Sequence, residues 1–151
     1  MTEKDSPWQN RAEVEIRELK RHTRRFMSQS ASPLALWDFC CLYTVELRNR
    51  ICRPLAKLKG RTPYEVLTGN TPDISEYLEF SWYQPVWFYE PDVYPQQNKQ
   101  IARWLGIAHR VGQAMCYWIL PISGVPIART TIQEISKIEL ESEEVCRLLN
   151  A

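Results

Sequence analysis

The sequence predicts an α+β chain: long N-terminal helices followed by a small antiparallel β-barrel. Up to about residue 53, apolar residues recur at spacings of three and four, the period of a helix with one buried face. Beyond residue 70 the pattern changes, and 11 of the 17 aromatic residues crowd into 77–118 among prolines and valines, a composition that favours strands. The charge divides at the same place. Residues 1–61 carry 13 basic and 7 acidic side chains, net +6, whereas the remainder carries 6 and 11, net −5, so the overall charge of +1 conceals two opposite parts. With 151 residues, 44% hydrophobic and 25% charged, the chain has the composition of about one globular domain and not of a disordered segment.

The first helix is expected from Trp8 to about Gln29, with Ala12, Ile16, Leu19, Thr23, Phe26 and Met27 on one face. Ser6 offers an N-cap and Pro7 a first-turn proline, with Asn10 as a second candidate cap. Ser32-Pro33 repeats that signature and opens a second helix. Its Leu36, Trp37, Cys40, Cys41, Tyr43, Thr44, Leu47 and Ile51 form a broad apolar face, and it stops near Arg53-Pro54, where proline blocks further helix. A short third helix runs from the Thr62 cap and Pro63 to Gly69.

Strands are expected at 85–89, 102–109, 114–120 and 125–132, separated by turn signals at Pro91, Val111-Gly112 and Ser123-Gly124. From Glu134 the chain turns acidic and reads as a linker or tail, with Val145, Leu148 and Leu149 on one side of a short amphipathic segment. The domain reading is therefore 1–70 helical, 71–133 β-barrel and 134–151 tail.

Several functions have no support in this sequence. The longest apolar stretch, from Leu34 to Val45, is interrupted by Asp38 and Thr44 and is too short to cross a bilayer. The N-terminus is polar and acidic, unlike a secretory signal, so an intracellular location is expected. Cys40, Cys41, Cys52, Cys116 and Cys146 lack paired spacing, which argues against a zinc site and for reduced, mostly buried thiols. The glycines occur singly and form no phosphate loop. His22 and His109 have no nucleophile or acid at a spacing that would make a catalytic set. Trp82, Trp87, Tyr89, Trp104, Tyr117 and Trp118 could stack bases, but residues 62–131 carry four basic and six acidic side chains, so packing in a small core is the better reading. Arg103, His109 and Arg110 are candidate phosphate contacts at the edge of the barrel.

The first helix carries the most informative geometry. At about 100° per residue, counted from Ala12, Glu13 falls at about 100°, Arg17 at about 140°, Lys20 at about 80° and Arg24 at about 120°. One carboxylate thus shares a stripe with three cations. Glu15 lies at about 300°, beside His22, and cannot join Glu13 on one ion. The stripe fits surface ion pairs worth a few tenths of a kcal/mol. It fits equally a metal-binding carboxylate beside phosphate-binding cations, the combination used in phosphoryl transfer on nucleic acid.

SPWQNRAEVEIRELKR resembles the start of the last long helix of copia-type retrotransposon integrases, including the diatom copia-like lineage. Ser6-Pro7, Gln9-Asn10 and Ala12-Glu13 match in order. Arg11 stands where glycine is usual, and the asparagine-to-glutamate spacing is one residue shorter, which leaves Glu15 as the other register; the shared face with Arg17 and Lys20 favours Glu13. GRTPYEVLTGNTPDISEYLEF is similar to the segment that follows in that family, and RWLGIAHRVGQAMCYWI to the strand, glycine turn and strand of its SH3-like module.

The resemblance implies that residues 1–70 are the terminal helices of an incomplete RNase H-like integrase core and 71–133 an SH3-like barrel. It implies that Glu13 is the catalytic and metal-binding glutamate, closing an Asp, Asp, Glu triad for Mg²⁺ or Mn²⁺. Arg17 and Lys20 would contact DNA phosphates, with Arg21 and Arg24 as weaker DNA-binding candidates. Asp5 is too close to Glu13 to be one of the two aspartates, so the chain is expected to be a fragment of an integrase, inactive alone. Its expected partners are DNA and either the upstream core or a second copy, in a nuclear setting. The alternative is a host-retained remnant that binds DNA or protein without catalysis.

Overall fold

The computed structural model describes residues 7–90 and 98–150. The expected Ser6 cap and Pro91 turn, and Asp5, lie outside the described residues. The chain divides into two compact units, 1–74 and 75–151. The division falls four residues after the expected boundary at 70, and the second unit also includes the segment read as a tail.

The first unit is built on an antiparallel helix pair. Helix α1 spans Pro7–Ser30, so Asn10 lies inside it, and α2 spans Trp37–Arg50 after a 3₁₀ turn at Leu34–Leu36. Helix α1 ends in a Schellman motif. Ala31 takes the left-handed conformation (φ 52°), its N–H donates to the Ser28 carbonyl at 3.4 Å, and the Ser32 N–H reaches Met27 O at 3.2 Å. Pro33 stands at the N-cap position of the 3₁₀ turn, one residue after the expected Ser32. Thr23, Met27, Leu36, Cys40, Tyr43, Thr44 and Leu47 are buried, and Phe26 meets Tyr43 edge to face at 5.4 Å.

The broad buried face expected on α2 is narrower in the structure. Trp37 (62% exposed) faces outward, and Ile51, just past the end of the helix, is exposed too, so α2 buries one apolar stripe and not a broad face. It ends at Arg50, short of Arg53-Pro54, with Ile51 extended. Helix α1 has 24 residues against 14 in α2, and Ala12 and Ile16 in its N-terminal half are exposed. Helix α3, Pro63–Thr68, starts and stops as the sequence predicts, with Thr62 and Glu65 forming a capping box and Gly69 left-handed at φ 77°.

The second unit opens with α4, Ser75–Leu78, and holds β1 Pro85–Tyr89, β2 Lys99–Ala108, β3 Cys116–Pro121, β4 Ile127–Arg129 and β5 Ile132–Glu134. All pairings are antiparallel in the order β4-β3-β2-β1-β5. The single strand expected at 125–132 is two strands: β4 pairs with β3 and β5 with β1, at opposite edges, so the ladder must break at Thr130-Thr131 for the chain to cross. The expected barrel is not closed, since β4 and β5 remain the two edges. A bulge between Trp104 and Gly106 bends β2, and the glycine there has φ 112°.

One sheet face carries Val86, Trp104, Tyr117 and Ile119, and Phe80 lies 5.9 Å from both Trp104 and Tyr117. The other face carries Trp87 and Ile101. Here the expectation of an acidic tail fails: helices α5 (Lys137–Leu140) and α6 (Glu143–Asn150) follow β5, and Ile135 and Val145 pack on Trp87 and Ile101, joined by Leu140, Leu148 and Leu149. The acidic residues occupy the outer side of an amphipathic segment whose apolar side completes this core. Val145→Ala is expected to destabilise the second unit by about 2 kcal/mol, the worth of a buried valine side chain; urea unfolding followed by tryptophan fluorescence measures it.

Candidate nucleic-acid interface on the first helix

The site begins with the rotational phase of α1. Thr23 and Met27 point into the helix pair; Thr23 Oγ1 donates to Leu19 O at 2.9 Å, and Cys40 Sγ donates to Thr23 O at 3.7 Å. With that face fixed, residues roughly a quarter turn away point outward. Glu13, Arg17, Lys20 and Arg24 are all exposed. Among the described residues none of the four makes a hydrogen bond or ion pair, so the surface pairing of Glu13 with Arg17 is not formed.

Arg21 is also exposed but donates to Glu18 at 2.6 Å, which offsets part of its charge. His22 lies 3.9 Å from the same carboxylate. Burial lowers its pKa, and Arg48, Arg21 and Arg25 lower it further against the opposing pull of Glu18. Arg11 and Arg25 are exposed cations of α1 outside the expected set. Their positions at about 260° and 220° on the same wheel would have identified them as a second flank.

Glu15 has a different role. Its carboxylate accepts from Arg48 Nη2 at 2.9 Å and from Arg53 Nη2 at 2.8 Å to both oxygens. Burial alone would raise its pKa, but the hydrogen bonds and charges of Arg53 and Arg48 override that and hold it below the ordinary 4.5. The partners are 33 and 38 residues away, so no local spacing could have signalled them. This acid, the other register, is occupied, and Glu13 is the open one.

Mg²⁺ or Mn²⁺ as implied by the resemblance needs several converging carboxylates. Among the described residues no three His, Cys, Asp or Glu side chains form such a group, and Glu13 stands alone on its stripe, so these residues by themselves do not fit a two-metal centre.

The remaining candidates are more scattered. His109 Nε2 is 2.8 Å from Tyr77 Oη, Arg110 is exposed at φ 67°, and Arg103 stacks on Tyr83 with its Cζ 4.9 Å from the ring. Trp82, Trp87, Trp104 and Tyr117 are buried and Tyr89 and Trp118 half-buried, which is the packing arrangement. Of the five free cysteines, Cys40 and Cys116 are buried, and burial pushes the Cys40 thiol up to about 12; Cys52 and Cys146 are exposed, contrary to the expectation of mostly buried thiols.

The chain matches no family model, and no curated protein or solved structure matches it.

A carboxyl group whose pKa is lowered on folding stabilises the fold above its unfolded pKa, and that contribution is lost as pH falls through the lower folded value. For Glu15 the loss is expected below about pH 4.5. Glu15→Gln should weaken the helix pair at pH 7 by on the order of 1 kcal/mol at most, since solvent screens this partly exposed carboxylate. The same change should flatten the acid-limb dependence, as read by urea unfolding between pH 3 and 7.

Proposed function

We propose that this chain is the C-terminal part of a copia-type integrase region, with α1–α3 closing the edge of an RNase H-like core and β1–β5 forming the SH3-like module that follows. The observation that carries this reading is the α1 stripe: an open glutamate, Glu13, flanked by the outward cations Arg17, Lys20 and Arg24, while the neighbouring Glu15 is held by two arginines. A carboxylate among phosphate-binding cations suits the end of a DNA duplex beside a metal centre. The connectivity of the sheet also supports it, since a four-strand meander whose fifth strand returns to the first is that of an SH3-like module.

Arg17 and Lys20 hold phosphates in this reading, Arg24 and Arg21 extend the track, and Arg21 contributes less because Glu18 competes for it. Mg²⁺ or Mn²⁺ chemistry belongs to the complete integrase, whose two aspartates lie upstream, and nuclear DNA is its setting. A second reading, DNA or protein binding without catalysis, is favoured for this chain alone by the lack of converging metal ligands among the described residues. Self-association or docking of the upstream core would use the exposed Ile16, Leu34, Trp37 and Leu42 of the helix pair.

Arg17→Ala with Lys20→Ala is expected to weaken duplex binding and to reduce the slope of log K against log salt by about 2, near 0.9 for each phosphate no longer neutralised. Fluorescence anisotropy at several salt concentrations measures this, and an unchanged slope would remove the stripe from the interface. The 151-residue chain alone should neither cleave nor join DNA with Mg²⁺ or Mn²⁺. Strand transfer by the purified chain, abolished by Glu13→Gln, would overturn the fragment reading.

A further inference from the structure

We propose that the cleft between β2, the turn after β3 and the last turn of α6 binds a carboxylate carried on a small apolar group, with the Arg103 guanidinium as its receptor. Arg103 stands opposite Pro85 and Leu120 in the register and so shares the sheet face of Trp87 and Ile101. The C-terminal helices cover that face incompletely. A cavity of about 120 Å³ remains, walled by Leu120, Pro121, Leu148 and Leu149 with Tyr83 and Arg103.

Arg103 is half-buried, yet among the described residues no carboxylate pairs with it. Its hydrogen bond there is a long one, Nη1 to Tyr83 O at 3.4 Å. A guanidinium has five N–H donors, and taking such a charge out of water without an anion is costly. The Tyr83 ring beneath it offsets part of the charge but satisfies no in-plane donor.

Tyr83 itself is held in the left-handed region at φ 62°, which costs a bulky residue on the order of 1 kcal/mol. The strain is maintained by the Tyr83 N–H bond to Trp104 O at 2.9 Å, and it sets the ring against the guanidinium. Strained residues of this kind cluster at ligand clamps. The guanidinium fork matches a carboxylate with two parallel hydrogen bonds. Leu120, Pro121, Leu148 and Leu149 beside the guanidinium give an apolar body carried by the acid something to contact, which a bare phosphate lacks. A free aromatic or aliphatic acid and the C-terminal residue of an apolar peptide both present this chemistry.

The test is a titration of the ¹⁵N-labelled full chain with benzoate, with N-acetyl-alanyl-leucine, and with the C-terminal amide of that dipeptide, followed by amide chemical shifts. Saturable shifts at Ile101, Leu120 and Leu149 with at least one free acid are expected, with binding of the amide and of Arg103→Gln weakened about tenfold or more. Tighter binding of benzoate identifies a small acid as the ligand class, and tighter binding of the dipeptide a peptide end. If neither acid gives a saturable shift, or if the amide or Arg103→Gln binds as well as the parent pair, the proposal falls. Should Arg103→Gln not fold, Ile122→Trp at the exposed rim keeps Arg103 and obstructs the mouth; undiminished affinity in that variant overturns the proposal equally.

Discussion

The rotational phase of α1 governs the first unit. It is set at one end by Thr23 and Met27 against Cys40 and Tyr43, and at the other by Glu15 between Arg48 and Arg53. Apolar packing supplies the energy, because partly exposed ion pairs contribute at most about 1 kcal/mol each. The ion pairs add orientation: bonds from two arginines to one carboxylate hold the N-terminal half of α1 in register. With both ends fixed, Glu13, Arg17, Lys20 and Arg24 have only solvent to face.

Charge within this unit is therefore sorted by packing. Arg48 and Arg53 are absorbed by Glu15, Arg50 stacks on Tyr64 and bonds Glu46, and Arg21 leans on Glu18. The cations of the outward stripe stay open to an anion, as do Arg11 and Arg25 on the other flank of α1 and Lys57, Lys59 and Arg61 beyond α2. A formal excess of positive charge in the sequence overstates what a polyanion would encounter, because part of it is neutralised by Glu15, Glu18 and Glu46 within the unit.

The second unit solves a different problem. A five-stranded sheet that does not close on itself has two apolar faces, and each needs a cover. Phe80 and Tyr77 cover the Trp104 and Tyr117 face, while the amphipathic C-terminal segment covers Trp87 and Ile101. A capping box formed by Ser136 and Glu139 and an ion pair from Lys99 to Glu139 fix where that segment turns. The cover leaves a cleft beside Arg103, between β2 and Leu148 and Leu149 of α6.

Much of this was legible along the chain. Periodicity located α1 and α2, the Thr62-Pro63 and Gly69 signals bounded α3, and β1 fell on the residues expected of it. Alternation and turn signals could not divide β4 from β5, because the division depends on which edge each strand joins. Nor could composition tell a tail from a cover: Ile135 and Val145 are buried only because Trp87 and Ile101, some tens of residues earlier, present a face to them. Helical phase at Glu13, Arg17 and Lys20 was determined by the sequence itself, since 3.6 residues per turn relates neighbours without reference to anything distant. Which acid is free and which is bound, and where Arg103 ends without an anion, were decided by tertiary structure alone, since electrostatic partners and cavities are relations between residues far apart in the chain.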